Sequence, residues 1–335
     1  MLLRREVIRV LGCALIPIRA VFAGAFRDSP EMFDGEAFKR ASLFLNNSAR
    51  PLDRALFACH FAGGSRDLVI AELAKFQNAD GGFQSLLESD TRWSGSSPLG
   101  AMKGLRILNE VGAPPGDSRV SAVIHYLLQT FDSAKGCWHA LPAKANEAPH
   151  AIWWDVRAET GNCEVESSVF PTAAIAGYLG AYSTLLPAGF LARITNASLD
   201  YLEAAPLDMK MPDLESLVEL VRLLPAEQTS VAVQKLRSVL AKVVVEDREK
   251  WNSYNVKPLT FVHTPESPLY AGPQKAVSAN LDYLISTQQA DGGWALTWSW
   301  EERDPAAWKV AEKEWRGVVT LENLETLESF HRIAR

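Results

Sequence analysis

The sequence predicts an all-α fold for the 335-residue chain, and three observations support this prediction. Apolar residues recur at helical spacing in several segments, and alternating β-branched runs bounded by hairpin turns are nearly absent. An apolar helix end followed by a glycine turn and an aromatic residue occurs three times. The length suits one large domain or two ordinary ones and is ample for a sizeable core.

Apolar stripes at a spacing of three and four residues mark individual helices. One stripe covers residues 120–131 behind Ser118, which we expect to cap the helix. A second covers residues 214–224, begins after Pro212 and is stopped by Pro225. Both segments therefore predict amphipathic helices, and a similar stripe over residues 233–244 predicts a third.

A repeated motif joins a helix to a glycine turn. The C-terminal copy, residues 283–294, reads Tyr-Leu-x-x-x-Gln-x-x-Asp-Gly-Gly-Trp, and residues 73–83 read Leu-x-x-Phe-Gln-x-x-Asp-Gly-Gly-Phe. A degenerate copy at residues 126–138 keeps the glycine and the tryptophan but lacks the glutamine. Repeats of this size indicate one supersecondary unit used several times.

The spacing of the aromatic residues predicts the number of units. Phe83 and Trp138 are 55 residues apart, and Trp138 and Trp294 are 156 apart, which equals three units of 52. A unit of 52 residues holds two helices, and residues 31–335 hold about six units. We therefore predict six helix hairpins closed into a single α/α toroid, an (α/α)6 barrel, preceded by an N-terminal extension at residues 1–30.

The Gln-x-x-Asp-Gly-Gly-(Trp/Phe) motif resembles the QW-type repeat of the terpenoid cyclase and protein prenyltransferase superfamily, whose members form α/α toroids. The resemblance covers roughly residues 32–335. It implies that the glutamine caps a helix end, that the aromatic residue stacks on the next turn, and that the protein handles an isoprenoid. Two other stretches, residues 49–56 and 148–154, are distinctive but match no motif of that superfamily.

The chain lacks several catalytic motifs of the superfamily, and their absence limits the reactions that the resemblance implies. The chain has no Asp-x-Asp-Asp acid motif, and neither Cys137 nor Cys163 lies in the Asp-x-Cys pair that holds zinc in prenyltransferases. The usual Asp-Asp-x-x-Asp motif of class I terpene synthases is also missing. The resemblance still implies a terpene cyclase that ionises a prenyl diphosphate, of farnesyl size, with Mg²⁺ held by carboxylates and an aromatic cavity around the cation.

Candidate residues for this reaction lie in the loops beside the glycine turns and in the tryptophan-rich C-terminal region. The candidate Mg²⁺ ligands are the carboxylates Glu88, Asp90, Asp155, Glu164 and Glu166. The candidate catalytic residues are Asp90 and Asp155, with His150 as a proton acceptor. The candidate substrate-binding residues are Arg92, Trp153, Trp154, Trp298, Trp300, Lys309 and Lys313.

Other functions remain open from the sequence. Each carboxylate could instead be a solvated loop charge, and the tryptophans could wedge between helices. A six-hairpin barrel with paired carboxylates and tryptophans also suits a glycan-active hydrolase or lyase, and a toroid without a catalytic motif suits a protein that only binds an isoprenoid or lipid. The lining of the cavity separates these functions, because a carbocation needs a dry aromatic cavity, whereas a sugar needs polar groups among the aromatics.

The composition of the chain indicates which classes of partner and which cellular compartment to expect. The net charge is −6 with no basic run, so nucleic acid is not an expected partner, and no apolar stretch reaches the ~18 residues that span a bilayer. No obligate protein partner is inferred. We expect a cytoplasmic protein with reduced cysteines, although the charged and apolar start of residues 1–30 leaves export by a signal peptide open.

Overall fold

The computed structural model describes residues 30–334, and within that range all the regular elements are helices, which confirms the all-α prediction. Eleven α-helices are present: α1 Gly35–Ser48, α2 Pro51–Phe61, α3 Arg66–Ala74, α4 Pro98–Glu110, α5 Ser118–Thr130, α6 Thr172–Leu179, α7 Phe190–Ala204, α8 Met211–Leu223, α9 Ser230–Val243, α10 Gln274–Ser286 and α11 Pro305–Ser329. Short 3₁₀ turns lie at Ser85–Leu87, Ala143–Glu147, Ile152–Trp154, Gly180–Leu185, Ala226–Gln228, Arg248–Lys250 and Pro258–Thr260. The predicted signal-like segment lies outside the described residues.

The three helices predicted from apolar stripes are present as α5, α8 and α9. The predicted cap of α5 is wrong by one residue, because Asp117 and not Ser118 precedes the helix. The Asp117 carboxylate accepts a hydrogen bond of 2.9 Å from the backbone N–H of Arg119. Aspartate is an effective N-cap because its oxygen satisfies one of the free N–H groups of the first turn.

Helices that follow one another along the chain pack side by side. α2 contacts α3, α4 contacts α5 and α6, and α6 contacts both α7 and α8. The last helix, α11, packs against α1 and α2. The two ends of the described chain also meet, because the N–H of Phe33 donates to the carbonyl of Arg332 (2.7 Å) and the N–H of Ala334 donates to the carbonyl of Phe33 (2.9 Å).

The repeated glutamines join neighbouring units. The Nε2 atom of Gln77 donates to the carbonyl of Gly81 (2.9 Å) within its turn and to the carbonyl of Arg119 (3.0 Å) in α5. The Nε2 atom of Gln288 donates in the same way to the carbonyl of Gly292 (3.0 Å) and to that of Ala37 (2.9 Å) in α1. The C-terminal repeat therefore attaches to the first helix as the N-terminal repeat attaches to α5.

Two glycines allow this close attachment. Gly81 has φ +85°, and a Cβ atom there would lie 2.5 Å from the carbonyl oxygen of Ala122 in α5. Gly292 has φ +94°, and its Cβ would overlap the carbonyl oxygen of Arg40 in α1. Only glycine satisfies both the positive φ and the close approach of a neighbouring helix.

The segment between α9 and α10 differs from the hairpin pattern. A sixth hairpin requires an α-helix here, but residues 244–273 contain only two 3₁₀ turns. Four prolines, at positions 258, 265, 268 and 273, lie in this segment. Proline removes a backbone donor and clashes with the preceding turn, which prevents a continuous helix.

Residues 31–334 form one compact unit. Its core contains the repeat aromatics Phe83, Trp138 and Trp294, all with little or no exposed surface. The indole N–H of Trp138 donates to the carbonyl of Leu127 (2.7 Å), and that of Trp294 donates to the carbonyl of Leu284 (2.9 Å). Among residues 30–334, none of the helices combines the length and the hydropathy that a bilayer crossing requires.

Candidate functional site

Asp90 lies where two distinctive loops meet. It follows the Ser85–Leu87 turn, and its carbonyl accepts the backbone N–H of Ala151 (2.8 Å). The N–H of Arg92 donates to the carbonyl of Pro149 (2.8 Å), so the segment around Asp90 pairs with the segment around His150. The structure thus brings together two of the predicted catalytic residues, Asp90 and His150.

The Asp90 carboxylate is enclosed by tryptophans. Asp90 is only 4% exposed. Its Oδ1 atom accepts hydrogen bonds from the indole N–H groups of Trp300 (2.7 Å) and Trp315 (2.8 Å). A third indole, that of Trp298, is near enough to favour the ionised carboxylate, although its buried N–H makes no hydrogen bond of normal geometry. Trp298 and Trp300 were predicted site residues; both lie here.

The environment of Asp90 raises its pKa to about 7. Burial is the largest cause and the negative charge of Glu88 adds to it, while the indole donors of Trp300, Trp315 and Trp298 lower the pKa without restoring its usual range. A carboxyl group with this pKa holds its proton for much of the time at neutral pH. Asp90 can therefore act as a proton donor.

Glu88 is the second buried carboxylate of this turn. Its Oε2 atom lies 3.0 Å from the Nζ atom of Lys103 in α4, and the Lys103 ammonium lies 5.5 Å from the ring centroid of Trp315. The neighbouring Ser89 hydroxyl accepts a hydrogen bond of 3.2 Å from Arg50, whose guanidinium also binds Asp53 through two hydrogen bonds. The distinctive stretch at residues 49–56 therefore supports the loop that carries Glu88 and Asp90.

Charged side chains of three helices interact with one another and, through the Lys103–Glu88 ion pair, with the turn that carries Asp90. The set comprises Lys103 and Arg106 of α4, Glu215 and Glu219 of α8, and Glu322 of α11, and we call the space between them the inner chamber. Arg106 forms an ion pair with Glu322 (2.9 Å), which connects α4 to α11. The charges of Lys103, Arg106 and Glu322 also act on the pKa of Glu215 in α8.

Glu215 combines an exposed side chain with a raised pKa. Its side chain is exposed, but burial is the largest cause of a pKa raised to about 7. A carboxylate on the outer surface keeps its hydration and an ordinary pKa. The raised pKa makes Glu215 a second carboxyl group that can hold a proton near neutral pH.

Aromatic rings form one wall of the inner chamber. Tyr254 is 60% exposed, and its ring meets that of Trp298 edge-on at 6.3 Å between centroids. Trp298 meets Trp315 in the same way at 5.3 Å. The pKa of the Tyr254 phenol is raised to about 12, first by burial and then by the charges of Glu215, Asp90 and Glu88, so the aromatic wall faces the carboxylates.

Asp155 and His150 form a separate polar cluster beside Asp90. The Nε2 atom of His150 lies 2.8 Å from Oδ1 of Asp155, and Arg303 makes two hydrogen bonds to the same carboxylate (2.6 and 2.8 Å). The Nδ1 atom of His150 lies 2.6 Å from the carbonyl of Ala148. Hydrogen bonds from Arg303 are the largest cause of a lowered Asp155 pKa, so this carboxylate stays ionised and orients its neighbours.

Two predicted carboxylates, Glu164 and Glu166, have other partners. Glu164 is exposed and lies 3.6 Å from Arg157. The Glu166 side chain is 1% exposed, lies 2.6 Å from Nδ1 of His139 and accepts the N–H of Ala140 (2.9 Å). Burial is the largest cause of a raised Glu166 pKa. Both residues serve the loop around the degenerate repeat, and no contact in the described chain joins them to Asp90.

The predicted substrate-binding residues occupy different positions. Arg92 makes two hydrogen bonds to Glu314 (2.6 and 3.1 Å) and is not free to bind a diphosphate. Trp154 is buried against Phe170, whereas Trp153 is partly exposed. Lys309 and Lys313 lie on the exposed face of α11, and buried Trp308 and Ala311 lie on its inner face.

The predicted carboxylates do not fit a Mg²⁺ site. Each has the partners described above, and no three of them bring ligand atoms within 4.8 Å of one another. Within residues 30–334 that geometry occurs only at His60, Glu110 and Glu325, on α2, α4 and α11. Mg²⁺ requires several oxygen ligands in near-octahedral geometry. The described residues around Asp90 do not offer such a set.

Several residues of the site were missing from the prediction. Lys103 and Glu215 lie inside ordinary amphipathic helices, where a charged residue predicts only a solvated face. Tyr254 lies in a segment without periodicity. The tryptophan cluster at residues 294–315 was a usable signal, since Trp315 belongs to it and binds Asp90. A further groove of about 610 Å³ beside this cluster is lined by Trp298, Trp308 and charged residues of α11.

Comparison with protein-family models and with curated protein sequences gave no match to this chain.

Proposed function

We propose that this protein is a glycan-cleaving enzyme, a hydrolase or lyase built on an α/α toroid, and that Asp90 is its proton donor. The observation that carries the proposal is the lining of the inner chamber, which combines charged side chains with an aromatic wall. Sugars bind to such surfaces because their hydroxyls hydrogen-bond to charged groups and their CH faces stack on aromatic rings. A protonated carboxyl group is the acid that cleavage of a glycosidic bond needs.

The toroid itself is part of the proposal. Its support is the repeat contact of Gln288 and Gly292 with α1, which matches the contact of Gln77 and Gly81 with α5. Units that repeat one contact from first to last arrange themselves around a common axis, and the contact of Phe33 with Arg332 and Ala334 agrees with closure. The inner chamber would then lie on the axis.

In the proposed reaction Asp90 gives its proton to the oxygen of the bond that breaks, as the bond from that oxygen to the sugar carbon cleaves. Glu88, which forms an ion pair with Lys103 (3.0 Å), takes the proton of the attacking water in hydrolysis. The ring of Trp298 holds the sugar at the chamber wall. Two carboxyl groups with different neighbours thus take the acid and the base roles.

A carbocation is less compatible with the inner chamber. A travelling carbocation survives beside aromatic faces but is captured by carboxylates, and Glu215 and Glu322 line the space. The chamber cations are also engaged, since Lys103 pairs with Glu88 (3.0 Å) and Arg106 pairs with Glu322 (2.9 Å). A diphosphate would therefore have to displace internal partners before it could bind.

Cyclisation of a prenyl diphosphate remains the second candidate, because the three indoles around Asp90 form an aromatic surface suited to a cation. The QW-type repeat favours the same function. The assay below includes this substrate.

The test combines purified protein with a panel of defined polysaccharides and oligosaccharides and measures new reducing ends and unsaturated products. A parallel reaction contains farnesyl diphosphate with Mg²⁺, and its organic extract is analysed by gas chromatography and mass spectrometry. We expect glycan cleavage that is lost in Asp90→Asn and retained in Glu164→Gln, whose carboxylate is exposed. A cyclic terpene from the parallel reaction, or glycan cleavage that survives Asp90→Asn, would refute the proposal.

A further inference from the structure

Three side chains that can bind a metal ion meet between α2, α4 and α11. They are His60 in α2, Glu110 in α4 and Glu325 in α11. The Nε2 atom of His60 lies 2.6 Å from Oε1 of Glu110 and 3.5 Å from Oε1 of Glu325, and the three ligand atoms lie within 4.8 Å of one another. Between 27% and 31% of each side chain is exposed, so an ion in solution can reach the cluster.

A proton on His60 cannot satisfy both carboxylates. The Nε2 atom carries at most one hydrogen, and the separation of 2.6 Å directs that hydrogen to Glu110. Glu325 accepts no hydrogen bond from the residues that the structure describes, and its ion pair with His60 is long, at 3.5 Å. Burial and the charge of Glu110 raise the pKa of Glu325 to about 7, which agrees with a carboxylate that lacks a full partner.

The charge of the cluster also favours a cation. Two carboxylates and a protonated His60 leave one net negative charge, and a neutral His60 leaves two. The other charged groups that act on Glu325 are Arg106 and Glu322, which pair with each other at 2.9 Å and do not change this balance. His60 and Glu110 lie in the last turns of α2 and α4, where the helix dipole adds partial negative charge. A divalent ion neutralises both carboxylates, whereas a proton on His60 neutralises one.

The donor set indicates which kind of ion fits. One imidazole nitrogen and two carboxylate oxygens suit Zn²⁺, whereas Mg²⁺ and Ca²⁺ bind oxygen ligands and need more of them. Neighbouring ligand atoms around a tetrahedral Zn²⁺ ion are about 3.3 Å apart. The separations of 2.6 and 3.5 Å at His60 lie on either side of that value. Three protein ligands leave the fourth position of the ion to water.

We propose that His60, Glu110 and Glu325 bind one Zn²⁺ ion, each through one atom, and that the ion holds α11 against α2 and α4. Glu110 and Glu325 are 215 residues apart in the sequence, so the ion links distant parts of the chain. The helix that it fixes carries Trp315, which donates a hydrogen bond to Asp90 (2.8 Å). The zinc site does not depend on the proposed glycan-cleaving function, and its test needs no substrate.

The test uses the full chain, freed of metal with a chelator and then titrated with Zn²⁺ at neutral pH in competition with a coloured zinc indicator. We expect one ion per chain and a melting temperature that rises by several degrees when Zn²⁺ is in excess, because the ion binds the folded state. His60→Asn and Glu325→Gln should each weaken Zn²⁺ binding at least about tenfold. The matched controls His125→Asn and Glu164→Gln, at exposed residues outside the cluster, should leave it unchanged.

A thiol is the alternative ligand that the test must exclude, because Cys59 precedes His60 and is partly exposed. Co²⁺ takes the place of Zn²⁺ and shows in its absorption spectrum whether a thiolate binds it. We expect no thiolate band, and unchanged Zn²⁺ affinity in Cys59→Ser. A thiolate band, no bound Zn²⁺, or equal affinity in the unmodified protein and in both His60→Asn and Glu325→Gln would overturn the proposal. If these variants do not fold, the stoichiometry and the Co²⁺ spectrum of the unmodified protein decide the matter.

Discussion

The Asp90→Asn variant tests the electrostatics of the site without any substrate. Asparagine keeps a side-chain oxygen that can accept the indole N–H groups of Trp300 and Trp315, but it cannot ionise. The variant therefore removes the titration of Asp90 with little change in shape. We expect it to alter how the free energy of unfolding depends on pH.

The raised pKa of Asp90 determines whether the free energy of unfolding rises or falls with pH. The unfolded chain loses the Asp90 proton near pH 3.8, whereas the folded protein keeps it up to about pH 7. Between these values only the folded state holds the proton, so its stability falls as the pH rises. The loss is about 1.4 kcal/mol per pH unit, which amounts to about 3 kcal/mol between pH 5 and pH 8.

The measurement is urea unfolding of both proteins at pH 5 and at pH 8. Asp90→Asn should gain about 3 kcal/mol over the unmodified protein on going from the lower to the higher pH. Asp155→Asn is the control: the pKa of Asp155 is lowered below its usual 3.8, so the stabilising effect of the carboxylate is complete at both pH values and is lost only in more acidic solution. The free energy of unfolding that Asp155→Asn loses should therefore be the same at pH 5 and at pH 8. A difference between Asp90→Asn and the unmodified protein that does not change with pH would refute the raised pKa.

Three other substitutions test the fold and the loop cluster. Gly292→Ala should destabilise the protein by about 2 kcal/mol or more, because the new Cβ overlaps Arg40 and φ is positive; Gly136→Ala, with positive φ but open space, should cost about half as much in urea unfolding. Gln288→Ala removes the hydrogen bonds that attach the last repeat to α1 and should cost about 2 kcal/mol in the same measurement. His150→Ala, beside Asp90, should lower the rate of glycan cleavage and leave the melting temperature nearly unchanged. A loss of activity accompanied by a large fall in melting temperature would indicate a structural role instead.

The fold class was predictable because helical periodicity and the glycine turns are local signals. The attachment of Gln288 to α1 was predictable only as an implication of the QW-type repeat, since its partner Ala37 is 251 residues away. The segment at residues 244–273 escaped prediction because the count of 52-residue units cannot reveal whether each unit forms two helices. The four prolines in it were the local signal that was overlooked.

The residues of the site that lie in loops were predictable, because their signal is also local in sequence. Asp90, Glu88 and His150 lie in loops with unusual composition, where a polar residue is informative. Glu215 lies on an amphipathic helix, and periodicity cannot tell whether its polar face meets the outside or an internal chamber. Only the packing of α8 against its neighbours makes that distinction.

The contact between the two ends of the described residues has a consequence for engineering. Because Phe33 is hydrogen-bonded on both sides to residues near position 333, a short linker from Ala334 to Glu31 would span little distance. New termini could then be opened at exposed Gly116, in the loop before α5 and away from Asp90. A circular permutant of this kind would move the sites available for fusion to the loop at Gly116, while the contacts of α1 with α11 would become local in sequence and form early in folding.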